Sequence, residues 1–289
     1  MKVVLFCGGL GLRLRDYSEH IPKPMVRIGY RPILWHIMKY FAHYGHKDFI
    51  LCLGYRGDLI KEYFLNYNEC LSNDFVLTQG GAEINLSNSD IWDWKITFAD
   101  TGLRTNIGQR LAAVQKYLEG EELFLANYTD GLTDLNLSTY LEYARNADTI
   151  ATFVSVKPNF SFHITETGSD GFVTSVKELS QTGTRINGGF FVLKRDIFKY
   201  LCSGEELVIE PFQRLIAAKQ LKAYEYDGFF AAMDTFKDKQ KLDDLYESGD
   251  PPWEVWKEAG VKPTKAQLSQ GAPNTSRRGL VSSKEDLGP

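Results

Sequence analysis

Apolar residues along this chain fall into short unbroken runs that alternate with stretches of helical spacing. KVVLF at 2–6 predicts a buried strand running into Gly8-Gly9-Leu10-Gly11, where a tight turn or a close ligand is expected. Pro32 is placed at a first helical position, with Ile33, Leu34, Ile37, Met38 and Phe41 on one helical face and Gly45 closing the segment. The aromatics of that helix read as core. KDFILCLGY (47–55) predicts a strand and DLIKEYFLNY (58–67) a helix. This alternation argues for a parallel, doubly wound sheet.

Residues 68–108 are less regular, with strands expected at 74–78 and 94–100. RLAAVQKYL (110–118) is helical, and ELFLANY (122–128) is a buried strand ending at Thr129-Asp130-Gly131. A helix near 137–145 and a strand at 149–156 continue the alternation. The texture changes near residue 160: a hairpin is expected around Gly168–Gly171 and a strand over RINGGFFVL (185–193). PFQRLIAAKQ reads as a helix, LKAYEYDGFFAAMDT as a strand pair or one long strand, and 237–248 as a last helix. Residues 258–289 are polar and rich in Gly, Pro and Ser, with too little apolar content for a core, which predicts a tail.

Composition narrows the function. A net charge of −4 gives no electrostatic reason to expect nucleic acid, so basic residues gathered in one loop have a local task. No apolar run is long enough to span a bilayer, and MKVVLF shows no signal-peptide pattern. The four cysteines (Cys7, Cys52, Cys70, Cys202) and five histidines (His20, His36, His43, His46, His163) show no metal-ligand spacing. A cytoplasmic protein without nucleic-acid or membrane partners is expected.

The glycine turn invites three phosphate motifs. A dinucleotide fingerprint needs a glycine where Leu14 stands and an acidic residue closing the second strand. A P-loop needs Gly-Lys-Ser/Thr, which is absent. What remains is a glycine loop carrying Arg13 and Arg15, followed by Pro22-Lys23-Pro24. Backbone N–H groups can cradle phosphates, Arg13 offers bidentate contacts, and the prolines hold the Lys23 charge in place. Phosphoryl or nucleotidyl transfer needs that combination, because its catalysis is mostly positioning and charge stabilisation.

GGLGLRL…IPKPMVRIG resembles the signature of the sugar-1-phosphate nucleotidylyltransferases. RPILWHIMKYF, LGYRGDLIKEYFLNY, WKITFADTG, RINGGFFVL, MDTFKDK and PPWEVW are similar to the glucose-1-phosphate cytidylyltransferase branch, and the resemblance covers about 1–257. It implies a Rossmann-like α/β fold, a mostly parallel mixed sheet flanked by helices, with an inserted β-rich sugar-binding region at about 158–235. It implies transfer of a nucleotidyl group from a triphosphate, CTP by this branch, to a sugar 1-phosphate, glucose 1-phosphate by this branch, with release of pyrophosphate. Gly8, Gly9, Gly11, Arg13 and Arg110 would hold the nucleotide, with Arg13, Lys23 and Asp130 as the catalytic set. Asp130 and Asp234 would bind Mg²⁺, and Glu178, Asn187 and Gly188 would contact the sugar phosphate. Independently, Asp130 just beyond a buried strand sits where α/β ligands gather, and Gly188-Gly189 within a strand suggests a close ligand approach. Assembly into a homo-oligomer is compatible with the resemblance.

Three positions depart from the family pattern. Leu12 replaces Thr or Ser, Thr129 replaces Gly, and Leu179-Ser180 replaces Lys-Pro, leaving Arg185 or Lys177 to take the place of a phosphate-binding lysine. These departures motivate one alternative, a non-catalytic sugar-nucleotide-binding homologue. The other is the same reaction on a different triphosphate or acceptor.

Overall fold

The computed structural model describes residues 1–9, 21–158, 163–179 and 182–257. The expected tail, together with Gly11, Leu12, Arg13 and Ser180, lies outside these residues.

In chain order the elements begin with strand β1 (Lys2–Phe6), a 3-10 turn at Lys23–Met25, the short strands β2 (Arg27–Ile28) and β3 (Arg31–Pro32), and helix α1 (Ile33–His43). Next come β4 (Asp48–Leu53), α2 (Gly57–Leu65), the hairpin β5 (Phe75–Thr78) and β6 (Glu83–Leu86), β7 (Lys95–Asp100), α3 (Ile107–Ala113), β8 (Leu123–Tyr128), β9 (Gly131–Thr133) and α4 (Leu137–Ala147). The remainder is β10 (Ala151–Val156), β11 (His163–Thr167), β12 (Val173–Glu178), β13 (Ile186–Asn187), β14 (Phe191–Lys194), α5 (Glu210–Ala217), β15 (Leu221–Tyr226), β16 (Phe230–Ala232) and α6 (Phe236–Glu247).

One sheet runs β7-β4-β1-β8-β14-β10-β15. The β1–β4, β1–β8, β4–β7 and β10–β15 pairs are parallel; β14 alone runs against both neighbours, β8 and β10. Strand alternation sends side chains to two helical layers. Val3 and Leu5 pack with Ile37 and Phe41 of α1, Leu137 and Tyr140 of α4 and Leu242 of α6. Val4 and Phe6 pack with Leu111 of α3 and with Phe212 and Leu215 of α5. The architecture is a mostly parallel mixed sheet between helices, as the resemblance implies.

The RINGGFFVL strand is interrupted. Ser155 pairs with Asn187, whereas Thr152 pairs with Val192, so extra residues accumulate at Gly188–Phe190. Both Gly188 N–H and Gly189 C=O bond the backbone of Val154, at 2.8 and 3.0 Å, which makes a bulge. Gly189 and Phe190 turn through left-handed φ of 79° and 50°. The LKAYEYDGFFAAMDT segment divides between two sheets: β15 extends the main one, and β16 pairs antiparallel with β9. Pro32 caps α1 rather than opening it. Helix α3 begins before the expected segment, at a capping box in which Asn106 accepts from Gln109 N–H and Gln109 answers Asn106 N–H.

Candidate active site

Parallel strands β1 and β8 end side by side, and their last residues build the floor of the site. Past β8 the Thr129 hydroxyl donates to the carbonyl of Phe6 at 3.0 Å, tying the two strand ends together. That side chain is buried. The added bulk at this position therefore goes into the strand junction.

Asp130 follows. The β9–β16 pairing sets Gly131 opposite Ala232, and Met233 N–H donates to Asp130 C=O at 2.8 Å. Two aspartates 104 positions apart in sequence thus leave adjacent backbones. Beyond Asp234, Thr235 caps α6 in a reciprocal box with Asp238, which stops the strand and fixes where Asp234 projects.

Lys23 arrives from a third direction. Met25 N–H bonds Pro22 C=O at 2.8 Å and Val26 N–H bonds Lys23 C=O at 3.1 Å, closing the 3-10 turn around the two prolines, and Pro24 is buried. From this turn the ammonium donates to Asp130 Oδ2 and to Asp234 Oδ1, at 2.7 Å each. Burial pulls the Lys23 pKa down, but the Asp130 charge and the hydrogen bonds that the ammonium donates to both carboxylates outweigh it, and the net shift is upward. Lys23 stays charged at any physiological pH.

A cleft of about 230 Å³ opens beside this cluster, lined among others by Tyr128, Asp130, Ile186, Asn187, Gly188 and Asp234. Whole-ligand pockets run roughly 300–1,000 Å³, so this volume suits one part of a larger ligand. Asn187 is held at its rim: its Oδ1 accepts from Gly189 N–H at 2.9 Å and its Nδ2 reaches the Tyr128 hydroxyl at 3.4 Å. The close approach suggested by Gly188-Gly189 has a local cause. A Cβ on Gly188 would sit 3.1 Å from the Val156 side chain, and one on Gly189 2.5 Å from Asn127 Oδ1. Both glycines are required by the bulge packing itself.

The glycine turn and Arg110 meet directly. Arg110 is 1% exposed, and a Cβ on Gly8 would lie 2.1 Å from its guanidinium carbon. Its Nη1 donates to Thr101 Oγ1 at 2.7 Å and to Leu53 C=O at 3.1 Å. Among the described residues no carboxylate pairs with it. Desolvation lowers its pKa, and the nearby thiols of Cys52 and Cys7 oppose that shift. No atom of the described residues lies within 4 Å of where a side chain on Gly9 would begin.

Glu178 lies on the exposed hairpin strand β12, opposite His163, and is not among the described residues lining the cleft. Arg185, one candidate for the missing lysine, is committed elsewhere. It donates to the carbonyls of Ser155 and Tyr226 and to Asp227, and it ion-pairs with Glu225 at 3.2 Å.

Two cleft residues escaped the sequence reading. Asn127 is fully buried in β8, and its Oδ1 accepts from the left-handed Phe190 N–H at 2.8 Å. An amide in the apolar run ELFLANY was the available signal. Tyr128 is its neighbour; burial pushes its phenol pKa up, so the hydroxyl remains protonated. No aromatic periodicity marks it out.

The carboxylates fit a divalent cation, because one ammonium already bridges both at contact distance and they flank an open cleft.

Comparison with known proteins identifies relatives along nearly the whole described length. Residues 2–247 match the nucleotidyl transferase family. The chain is 38% identical over 258 residues to a probable glucose-1-phosphate cytidylyltransferase of Bacillus subtilis, covering 89% of this chain and 100% of the relative. Against the glucose-1-phosphate cytidylyltransferase of Salmonella typhimurium the identity is 38% over 259 residues, again covering 89% and 100%. HddC from Yersinia pseudotuberculosis superposes with a TM-score of 0.61 at 23% identity, over 85% of this chain and 99% of that one. A putative glucose-1-phosphate thymidylyltransferase from Bacillus anthracis gives 0.62 at 15%, over 85% and 94%. At these structural identities the likeness concerns the fold, whereas the sequence matches run nearly the whole described length. The chain belongs to the nucleotidyl transferase family.

Proposed function

We propose that this protein is a Mg²⁺-dependent glucose-1-phosphate cytidylyltransferase, joining CTP and glucose 1-phosphate into CDP-glucose and pyrophosphate. The carrying observation is the convergence of Lys23, Asp130 and Asp234 at the carboxyl edge of parallel strands, where α/β proteins place their ligands. The names of the 38%-identical relatives support the choice of base and sugar.

In this reading an oxygen of the sugar phosphate attacks the α-phosphorus in line. One P–O bond forms, the bond from the α-phosphorus to the bridging oxygen breaks, and pyrophosphate leaves with that oxygen. Lys23 neutralises charge on the reacting phosphate, a task for a compact ammonium on a flexible stem. Asp130 and Asp234 would hold the Mg²⁺, which would supply neutralising charge to the phosphate oxygens. Gly8 and Gly9 present backbone N–H groups to the nucleotide, with Gly11 and Arg13 completing that loop. Arg110, packed beneath Gly8 and in ion-pair contact with no carboxylate of the described residues, adds positive potential under the same turn. Asn187 and Gly188 face the sugar from the cleft lining, whereas Glu178, on the hairpin outside that lining, keeps its sugar-phosphate role only on the resemblance.

The test is a matrix of CTP, UTP, GTP, ATP and dTTP against several sugar 1-phosphates with Mg²⁺, read as pyrophosphate. Release with CTP and glucose 1-phosphate above every other pair is expected. No release with any pair overturns the reading.

A further inference from the structure

The ammonium of Lys23 stands where a divalent cation would. Its Nζ lies 2.7 Å from one oxygen of each aspartate, so those oxygens are no further apart than twice that distance. A Mg²⁺ ion bonds carboxylate oxygens at roughly 2.0–2.1 Å. An ion spanning these two oxygens would have to enter the gap that the ammonium fills, and two cations cannot share it. The lysine is also partly shielded, with 17% of its side chain exposed against 30% and 27% for its partners. The contact is therefore only weakly screened by water.

Its backbone cannot carry the lysine away. The flanking prolines and the two hydrogen bonds of the 3-10 turn fix the main chain, so only the four-carbon stem can swing. The ammonium leaves the carboxylates only if another anion receives it. A triphosphate arriving from the Gly8–Gly9 side is such an anion, and it brings its own cation.

Building on the reading of Asp130 and Asp234 as metal carboxylates, we infer that Lys23 closes the divalent-metal site in the nucleotide-free protein. The cation enters with a triphosphate that draws the ammonium off the two aspartates. One lysine thus does two things in succession: it blocks an unproductive metal-only state, then neutralises the phosphate it has moved to.

Binding of Mn²⁺, followed by loss of the free-ion EPR signal, tests this without any turnover. The full-length protein is compared with Lys23→Met and Lys23→Gln, whose folds are checked by circular dichroism. Without nucleotide, wild type is expected to leave Mn²⁺ free at concentrations where both variants bind about one equivalent. Their affinity should be at least tenfold tighter than wild type, and Asp130→Asn in the Lys23→Gln background should remove it. Adding α,β-methylene CTP should let wild type bind the ion. If nucleotide-free wild type binds Mn²⁺ as tightly as the variants, through Asp130, the lysine does not guard the site, although the metal assignment stands. If neither the variants nor the nucleotide-loaded wild type binds Mn²⁺, the metal assignment itself fails, and the inference with it.

Discussion

Among the described residues, the charge clusters around Arg31 and around Lys23 are finished differently. Arg31 is 1% exposed and its guanidinium carbon lies 4.2 Å from the Tyr67 ring centre. It donates to Asn68 C=O at 2.8 Å and to the Tyr63 hydroxyl at 3.2 Å, and it pairs with Asp90 at 3.7 Å. Asp90 in turn accepts from Lys39 at 2.7 Å, from Tyr67 at 3.0 Å and from Ser72 and Asn73. Here two cations, Arg31 and Lys39, meet one carboxylate and a set of hydroxyl, amide and carbonyl groups, and the cluster staples the 66–94 segment to α1. Around Lys23, two carboxylates meet one ammonium beside an open cleft. The first cluster joins segments of the chain; the second lines a cleft at the carboxyl edge of parallel strands, where α/β proteins place their ligands.

That contrast can be broken by substitution. Lys23→Met should lower pyrophosphate release by roughly two to three orders of magnitude, the scale of losing a group that stabilises transition-state charge. Its melting temperature should change little. Arg31→Met should do the opposite, costing about 3–5 kcal/mol in denaturant titrations, because the Asn68 carbonyl and the Tyr63 hydroxyl lose their donor and the guanidinium stack on Tyr67 is lost. Turnover per folded molecule should stay near wild type. Similar activity losses in both, at equal stability, would erase the distinction.

A smaller effect concerns pH. Desolvation drives the buried His36 pKa down to about 4, helped by the charges of Lys257 and Arg31 and opposed by its bond to Ile28 C=O. Trp253 Nε1 donates to its Nδ1 at 3.3 Å, so the ring is neutral, with Nε2 facing Ile28 at 3.0 Å. The folded-state pKa is below the ordinary 6.5. Stability is therefore intact above that value and falls as the pH drops from 6.5 toward 4, by up to about 3 kcal/mol. The stability advantage of wild type over His36→Gln should shrink across that window, as measured by urea melts. The smallest expected change is at the strand junction: Thr129→Val loses one buried hydrogen bond, costs about 1 kcal/mol, and leaves turnover within severalfold.

Much of this was legible in the chain. The apolar runs at 2–6, 47–55 and 122–128 marked the three central parallel strands, because strands buried on both faces read as unbroken apolar segments. Pro22-Lys23-Pro24 and the strand-end Asp130 marked chemistry. What linked them was not legible. Lys23 lies 107 positions from Asp130 and 211 from Asp234, and their meeting depends on the three-residue pairing of β9 with β16, too short to carry a pattern. The RINGGFFVL bulge hid for a related reason: glycines required by backbone crowding look the same as glycines required by a ligand. Gly8 was read as a phosphate cradle, and its immediate demand is room for the Arg110 guanidinium, a contact 102 positions away.

The account rests on the carboxylate–lysine cluster being the place where the nucleotidyl group is transferred. The most direct measurement is pyrophosphate release from CTP and glucose 1-phosphate by Asp130→Asn at saturating Mg²⁺, alongside its melting temperature. An unchanged melt with release reduced by at least roughly two orders of magnitude is the predicted result. A folded Asp130→Asn protein that turns over at the wild-type rate would contradict it.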